Sequence, residues 1–210
     1  MSRDWAEWHR AYADPTSEIS RRLVVVTEAI VDVLDAAPPG PIRVLSLCAG
    51  EARDLTAAAT DHPRAGDLVG CAVELSGGLA SIAAAQLAQA GTSIEVRCAD
   101  AGRSVHWIDV APVDLLLIAG IFGNITDDDI HRIVKSVPAI VRVGGTAIWT
   151  RHRRDPDITP TVRSWFDQAG CESSAFVSPG PGSFSVGVER HVGNGSASAV
   201  PEVLFRFVDA

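Results

Sequence analysis

Three short stretches of this sequence carry residue types and spacings suited to holding a ligand. The first is Val44-Leu-Ser-Leu-Cys-Ala-Gly-Glu-Ala-Arg-Asp54, an apolar run that turns through small residues into a helical segment. Small side chains at Cys48, Ala49, Gly50 and Ala52 let a ligand approach the backbone closely. The helix that follows offers unpaired N–H groups and the positive end of its dipole. Glu74, 24 positions after Gly50, ends the next apolar run, where a carboxylate accepts hydrogen bonds from both hydroxyls of a ribose. Asp100 ends the run after that. Two acids at successive strand ends beyond a small-residue turn suit a ribose and an adenine amino group. They leave no basic partner for a phosphate, which points away from a dinucleotide.

The second stretch, Gly120-Ile-Phe-Gly-Asn-Ile125, follows a further apolar run. Two readings of it stay open. Phe122 covers a ligand ring or lines a channel to it while Asn124 orients a reacting heteroatom. Alternatively Phe122 is core, and Asn124 with Thr126 only starts the next helix, as capping residues do. The third stretch, Thr150-Arg-His-Arg-Arg154, is the densest positive cluster in a chain of net charge −8. It is either a solvated loop paired with Asp155 and Asp157, or a seat for an anionic reactant through Arg151 or Arg153, with His152 as base. Near the start, Trp5, Trp8 and Tyr12 share one helical face with His9 close by, and that face either meets a cleft or is surface. His62, His106, His131 and His191 have no partner at informative spacing. Cys48, Cys71, Cys98 and Cys171 form no C-x-x-C pair, so no metal site is expected.

The elements that must position these residues alternate along the chain. Strand-like runs fall at Ile42–Leu47, Asp67–Val73, Ser93–Cys98, Val113–Ala119 and Gly145–Thr150, with helix-like stretches at Asp54–Thr60, Ser76–Ala90 and Asp127–Val141. Near-continuous apolar strands separated by helices predict a parallel sheet covered on both faces, with ligands at the carboxyl ends of its strands. After a helix at Thr159–Ala169, Ala175–Ser178 and Phe184–Val192 flank Pro179-Gly-Pro-Gly182, so an antiparallel hairpin closes the sheet. A last apolar run spans Val203–Val208. Asp14-Pro15 is expected to cap a helix running toward Ala36, which Pro38-Pro-Gly-Pro41 stops. The fold class is therefore α/β, a three-layer Rossmann-like sandwich with a mostly parallel seven-stranded sheet and an antiparallel C-terminal hairpin. Residues 1–40 form a helical arm or lid, and 41–210 the ligand-binding domain.

With 210 residues, 47% hydrophobic and 21% charged, the chain has the composition of one ordinary globular domain. Its acidic balance repels phosphate backbones and argues against a general nucleic-acid coat. No apolar run is long enough to cross a bilayer as a helix. Asp4, Glu7 and several arginines stand where a secretory leader has its apolar core, so a cytoplasmic protein, monomer or homodimer, is expected.

These segments together resemble the class I S-adenosylmethionine-dependent methyltransferase family over residues 40 to 190. Within it, the resemblance is to a bacterial subgroup sharing Leu47-Cys-Ala-Gly50, Gly120-Ile-Phe-Gly-Asn-Ile125 and Trp149-Thr-Arg-His-Arg-Arg154. It implies that Val44 to Ala52 is the glycine-rich first motif, Glu74 the ribose-binding acid and Cys98-Ala-Asp100 the segment holding adenine. The implied cofactor site comprises Ser46, Cys48, Ala49, Gly50, Glu51, Glu74, Leu75, Asp100, Ala101, Gly120 and Phe122, with S-adenosylhomocysteine as product. The acceptor, a small molecule, falls to Trp5, Trp8, Tyr12, Asn124, Arg151 and Arg153, with His152 and His9 as candidate bases. The chain departs from the family pattern where Ser46 replaces the acid that opens the motif and Cys48 and Ala52 replace two glycines. Glu51 or Asp54 is then left to meet the methionine ammonium. Two other functions remain in view: a protein that binds S-adenosylmethionine or S-adenosylhomocysteine without turnover, and a nicotinamide-dependent reductase, which the missing G-x-G-x-x-G disfavours.

Overall fold

The computed structural model describes Asp14, residues 16–193 and residues 199–208. Trp5, Trp8, His9 and Tyr12 lie outside the described residues. Seven strands form one sheet in the order β3-β2-β1-β4-β5-β7-β6: β1 (Ile42–Leu47), β2 (Leu68–Glu74), β3 (Ser93–Cys98), β4 (Val113–Ile118), β5 (Val141–His152), β6 (Cys171–Val177) and β7 (Phe184–His191). The first five run parallel, and β7 lies antiparallel between β5 and β6. The expected mostly parallel sheet with an antiparallel C-terminal pair is thus the fold observed.

Alternation along the strands explains the layers. Val44, Leu115, Leu117 and Ile148 face one side, where they meet Val26, Ile30 and Leu34 of α1 (Glu18–Ala36), Leu55 of α2 (Arg53–Ala59) and Leu87 of α3 (Gly77–Gln89). Leu45, Leu116, Ile118 and Trp149 face the other, against Ile130, Ile133 and Val137 of α4 (Asp127–Ile140) and Phe166 of α5 (Thr159–Gln168). Both faces of β1 and β4 are covered, which is why those strands read as near-continuous apolar runs.

Two local expectations are corrected. Helix α1 is capped by Ser17, whose hydroxyl accepts the Ser20 N–H at 3.2 Å, and not by Asp14-Pro15. Asp14 instead folds its carboxylate onto Thr16, accepting from its N–H at 2.8 Å and its hydroxyl at 2.7 Å. Strand β5 starts at Val141 and runs through His152, because β7 continues to pair with it there, Arg151 opposite Ser185 and His152 opposite Phe184. Arg151 and His152 therefore sit on a strand, not on a loop. The final apolar run makes no full strand. Residues 199–208 cross the carboxyl end of the sheet as a strap, with Leu204 N–H donating to Gly102 O at 2.7 Å and Val208 N–H to Asn124 O at 3.0 Å. Its own Leu204 and Phe205 are buried.

The β5–β7 pair is shaped by Trp149. Gly187 stands opposite it, and a Cβ there would lie 2.3 Å from the indole, so only glycine fits. The indole N–H donates to buried Glu189 at 3.1 Å. Burial pushes the Glu189 carboxyl up from its ordinary 4.5, against the opposing pull of Trp149, Arg163 and Ser173. With the folded pKa above the unfolded one, the associated stability is fully present below about pH 4.5 and is lost as pH rises through the folded value. We expect the stability of Glu189→Gln, relative to the unmodified protein, to rise between pH 4.5 and pH 8 in urea denaturation. A difference that is flat or falls across that window would contradict this assignment.

Candidate functional site

The site is built where β1, β2 and β3 end side by side. After Leu47 the chain turns through Cys48 (φ 53°), Gly50 (φ 58°) and Ala52 (φ 53°), three left-handed residues at alternate positions. Left-handed backbone costs a non-glycine residue roughly 1–2 kcal/mol, so this turn needs external support. Glu74 supplies it. One carboxylate oxygen accepts the Gly50 N–H at 2.9 Å and the other the Ser76 N–H at 2.9 Å, while its carbonyl takes the Ala99 N–H at 3.0 Å. A single residue at the end of β2 thus fastens the loops after β1, β2 and β3 together. Each carboxylate oxygen keeps a second lone pair for a further donor.

Asp100 folds over the next loop, accepting the Gly102 N–H at 2.8 Å, and its side chain is exposed. Cys48 reports where the two acids point. Its thiol pKa is pushed up by burial and then by the negative charges of Glu74 and Asp100, so both carboxylates share its surroundings. Beside them Leu75 is 71% exposed, an apolar side chain held open at the mouth of the carboxylate pair. The Cys98 thiol donates to the Leu75 carbonyl at 3.6 Å. Ala101 is buried, and its carbonyl accepts the Trp107 indole N–H at 2.9 Å. The C-terminal strap runs close behind: a Cβ on Gly102 would lie 2.4 Å from the Phe205 carbonyl oxygen.

Not every expected residue joins this group through its side chain. Ser46 is buried within β1. Glu51 is taken up by an ion pair with Arg53, and Asp54, its pKa raised by burial, is opposed by the charge of Arg22. Phe122 is a correction: it is 0% exposed, packed in the core against Trp149 with ring centroids 5.7 Å apart, and only its carbonyl turns toward the loop. Its apolar ring is worth more buried under the sheet than open to a cleft, which settles the two readings in favour of core.

One strand further along, the ends of β4 and β5 frame a cavity of about 170 Å³ lined by Arg22, Gly120, Asn124, Arg151, His152 and Arg154, with Gly123 and Thr150 completing the wall. The Gly120 N–H donates to Thr150 Oγ1 at 2.8 Å, and Asn124 Nδ2 to the Gly120 carbonyl at 2.7 Å, which pins the loop. Thr126, not Asn124, caps α4. Arg151 is 9% exposed, donates to the Phe122 carbonyl and stands 3.9 Å from Asp127. Burial lowers its pKa against the charges of Asp127 and Asp157. His152 is also held below its ordinary 6.5, first by burial and then by Arg151 and Arg154, so it is neutral at pH 7. Arg153 is not brought into the cavity wall. Its guanidinium bonds Asp157 at 2.9 Å and Ser178 at 3.3 Å. Sequence reasoning missed Arg22, Gly123, Thr150 and Arg154 as cavity residues. Arg22 reaches the cavity only through the packing of α1, which leaves no local signal.

No family model matches the chain, and no curated protein matches it. Solved structures do match. A TehB-like S-adenosylmethionine-dependent methyltransferase from Corynebacterium glutamicum is 16% identical over 90% of this chain and 96% of its own, with a TM-score of 0.57. A possible exported protein from Bordetella parapertussis is 16% identical over 83% of this chain and 68% of its own, with a TM-score of 0.62. Fibrillarin from Aeropyrum pernix, which carries natively bound S-adenosylmethionine, is 13% identical over 78% of this chain and 75% of its own, with a TM-score of 0.53. The fold is that of the class I S-adenosylmethionine-dependent methyltransferases. Among the described residues no helix is long and apolar enough to cross a membrane.

The convergence of the two acids on Cys48 has a chemical consequence. The thiolate is the reactive form, so a thiol kept protonated alkylates slowly. With iodoacetamide at pH 8 followed by mass spectrometry, exposed Cys98 is expected to be modified well before half-buried Cys48. Asp100→Asn is expected to quicken Cys48 while leaving buried Cys171 unchanged; equal Cys48 rates in both proteins would place the two acids apart.

Proposed function

We propose that this chain is an S-adenosylmethionine-dependent methyltransferase that acts on a small-molecule acceptor and releases S-adenosylhomocysteine. The observation that carries this reading is Glu74, whose carboxylate is tied to the Gly50 and Ser76 amides with lone pairs to spare, beside Asp100 and the open face of Leu75. The residues present fit the cofactor: paired acceptors for a ribose diol at Glu74, a carboxylate for an adenine amino group at Asp100, an apolar surface for the base at Leu75, and a close-approach turn at Cys48 to Gly50. Once bound, S-adenosylmethionine supplies a methyl group on a sulfonium that is its own leaving group.

What this chain must contribute is placement. Holding two reactants about 3–3.5 Å apart in line supplies on the order of 7–11 kcal/mol, whereas a general base adds roughly 10²–10⁴-fold where the acceptor must lose a proton. Gly120 and Asn124, pinned to each other and to Thr150, fix the loop where the cofactor site and the cavity meet. His152 is neutral at pH 7, so it meets the acceptor as a hydrogen-bonding group that adds no charge. Helix α1 brings Arg22 to the cavity, so that helix takes part in enclosing the acceptor. Ser46 in place of an acid favours a second reading, a protein that binds the same cofactor without turning it over.

Calorimetry with S-adenosylmethionine, S-adenosylhomocysteine and NAD, followed by turnover over a panel of small acceptors, tests these readings. Heat from both adenosyl compounds is expected, and heat from NAD alone would overturn the assignment. Binding with no turnover on any acceptor selects the second reading. Hydrogen bonds to a charged group contribute about 1.5–3 kcal/mol each, so Glu74→Gln is expected to weaken S-adenosylhomocysteine binding on the order of 100-fold. Unchanged affinity in a variant that still melts cooperatively removes Glu74 from the site.

A further inference from the structure

Among the described residues, the cavity at the ends of β4 and β5 is walled by three arginines and a histidine and by no carboxylate, in a chain of net charge −8. At its centre Arg151 is buried without the partners a buried guanidinium needs. One of its nitrogens donates to the Phe122 carbonyl, its nearest carboxylate, on the exposed Asp127, is 3.9 Å away, and its Nε has no hydrogen-bond partner. A desolvated arginine is ordinarily matched by a carboxylate gripped through two parallel hydrogen bonds. Here that match is missing, and the cavity adjoins the unmatched group.

His152 sharpens the chemistry. Its Nδ1 accepts the Arg154 N–H over a long 3.4 Å, which leaves the proton of the neutral ring on Nε2. That edge of the ring faces Gly123, with Cδ2 and Nε2 lying 3.1 and 3.6 Å from where a Cβ on Gly123 would stand. Into the cavity, then, His152 presents a donor and not a base. At about 170 Å³ the space is close to the roughly 150 Å³ cavity that holds one benzene molecule, and well below the roughly 300–1,000 Å³ of drug-sized sites. It takes one ring-sized fragment of a larger acceptor.

Building on the cofactor reading above, we propose that this cavity is the acceptor subsite and that it selects a small carboxylic acid, anchored through its carboxylate by Arg151, Arg154 and the Nε2–H of His152. Donors occupy the carboxylate lone pairs and withdraw charge from it, so the carboxylate is the handle and the methylated atom lies elsewhere on the acceptor.

The test is calorimetric titration of benzoate, benzamide and inorganic phosphate into the full-length protein, with and without saturating S-adenosylhomocysteine. Benzoate is expected to bind at least tenfold more tightly than benzamide or phosphate, and equally well in the presence of S-adenosylhomocysteine or more tightly. Arg154→Gln, at an exposed position, is expected to weaken benzoate at least tenfold. Gly123→Val, which fills the cavity and presses on the His152 ring without removing either arginine, is expected to abolish benzoate binding while leaving S-adenosylhomocysteine affinity within twofold. Benzamide binding as tightly as benzoate, indifference to Arg154→Gln, or a preference for phosphate overturns the proposal. Competition between benzoate and S-adenosylhomocysteine also overturns it, because the arginines then serve the amino-acid end of the cofactor. Failure of the cofactor reading is separately visible, as a wild-type protein that gives no heat with S-adenosylhomocysteine.

Discussion

The architecture of the candidate site rests on one carboxylate. Glu74 holds the Gly50 amide with one oxygen and the Ser76 amide with the other, both at 2.9 Å. Two such bonds are worth about 3–6 kcal/mol together, taking about 1.5–3 each. Left-handed backbone at Cys48 and Ala52 costs roughly 2–4 kcal/mol, at about 1–2 each. The two are comparable, so the turn is held by a contact with the neighbouring strand and not by the preferences of its own residues. That explains how a turn with one glycine, where resembling sequences have three, keeps the conformation that glycines would adopt freely. It also means that the acceptor proposed for the ribose and the support of the turn are the same group, so that proposed binding is coupled to local stability there.

Most of the sheet was legible because its strands are buried on both faces, and near-continuous apolar runs such as Val44–Leu47 and Leu115–Ile118 admit few other structures. The deviations all arise where tertiary pairing overrides a local pattern. Strand β5 begins four residues earlier than its apolar run suggests, despite Gly144 and Gly145, because α4 runs directly into it. Val203–Val208 is as apolar as a strand, yet it pairs with neither edge strand, β3 or β6, and instead bonds crosswise to the loops holding Gly102 and Asn124. Ser17 caps α1 although Asp14-Pro15 carries the stronger local signal, since Asp14 is already satisfied by Thr16.

The candidate site divides in the same way. Glu74 and Asp100 were legible because a strand end followed by a turn fixes where an acid must point, whatever the rest of the fold does. Phe122 was ambiguous, since a phenylalanine in a glycine-flanked loop reads alike whether it faces a cleft or the core, and only the packing of Trp149 and Phe166 behind it decides. Arg151 and Arg153 were indistinguishable in sequence. Being two apart on an extended segment, they differ through their partners: Asp157 and Ser178 take Arg153, while Arg151 turns in beneath Phe122. Arg22 is 98 positions from Gly120 and meets the same cavity, and a contact of that range leaves no trace in local pattern.

The carboxyl edge of the sheet is consequently polarised, with acids at the ends of β2 and β3 and arginines at the end of β5. Surface charges of this kind are screened beyond about 8–10 Å in physiological salt, but buried ones much less. Arg151 belongs to the buried class. Taking a guanidinium out of water costs several kcal/mol unless its partners restore the loss, and an apolar residue in its place is often neutral or better for stability. Packing therefore gives no reason to keep an arginine there. A group that weakens the fold at a strand end beside a cavity is the signature of a residue kept for what it binds, since local rules are broken at functional sites more than elsewhere. Together with the acids one strand to the other side of the β1–β4 switch point, that gives the proposed cofactor and acceptor adjoining seats of opposite charge, which is the arrangement a group transfer between them requires.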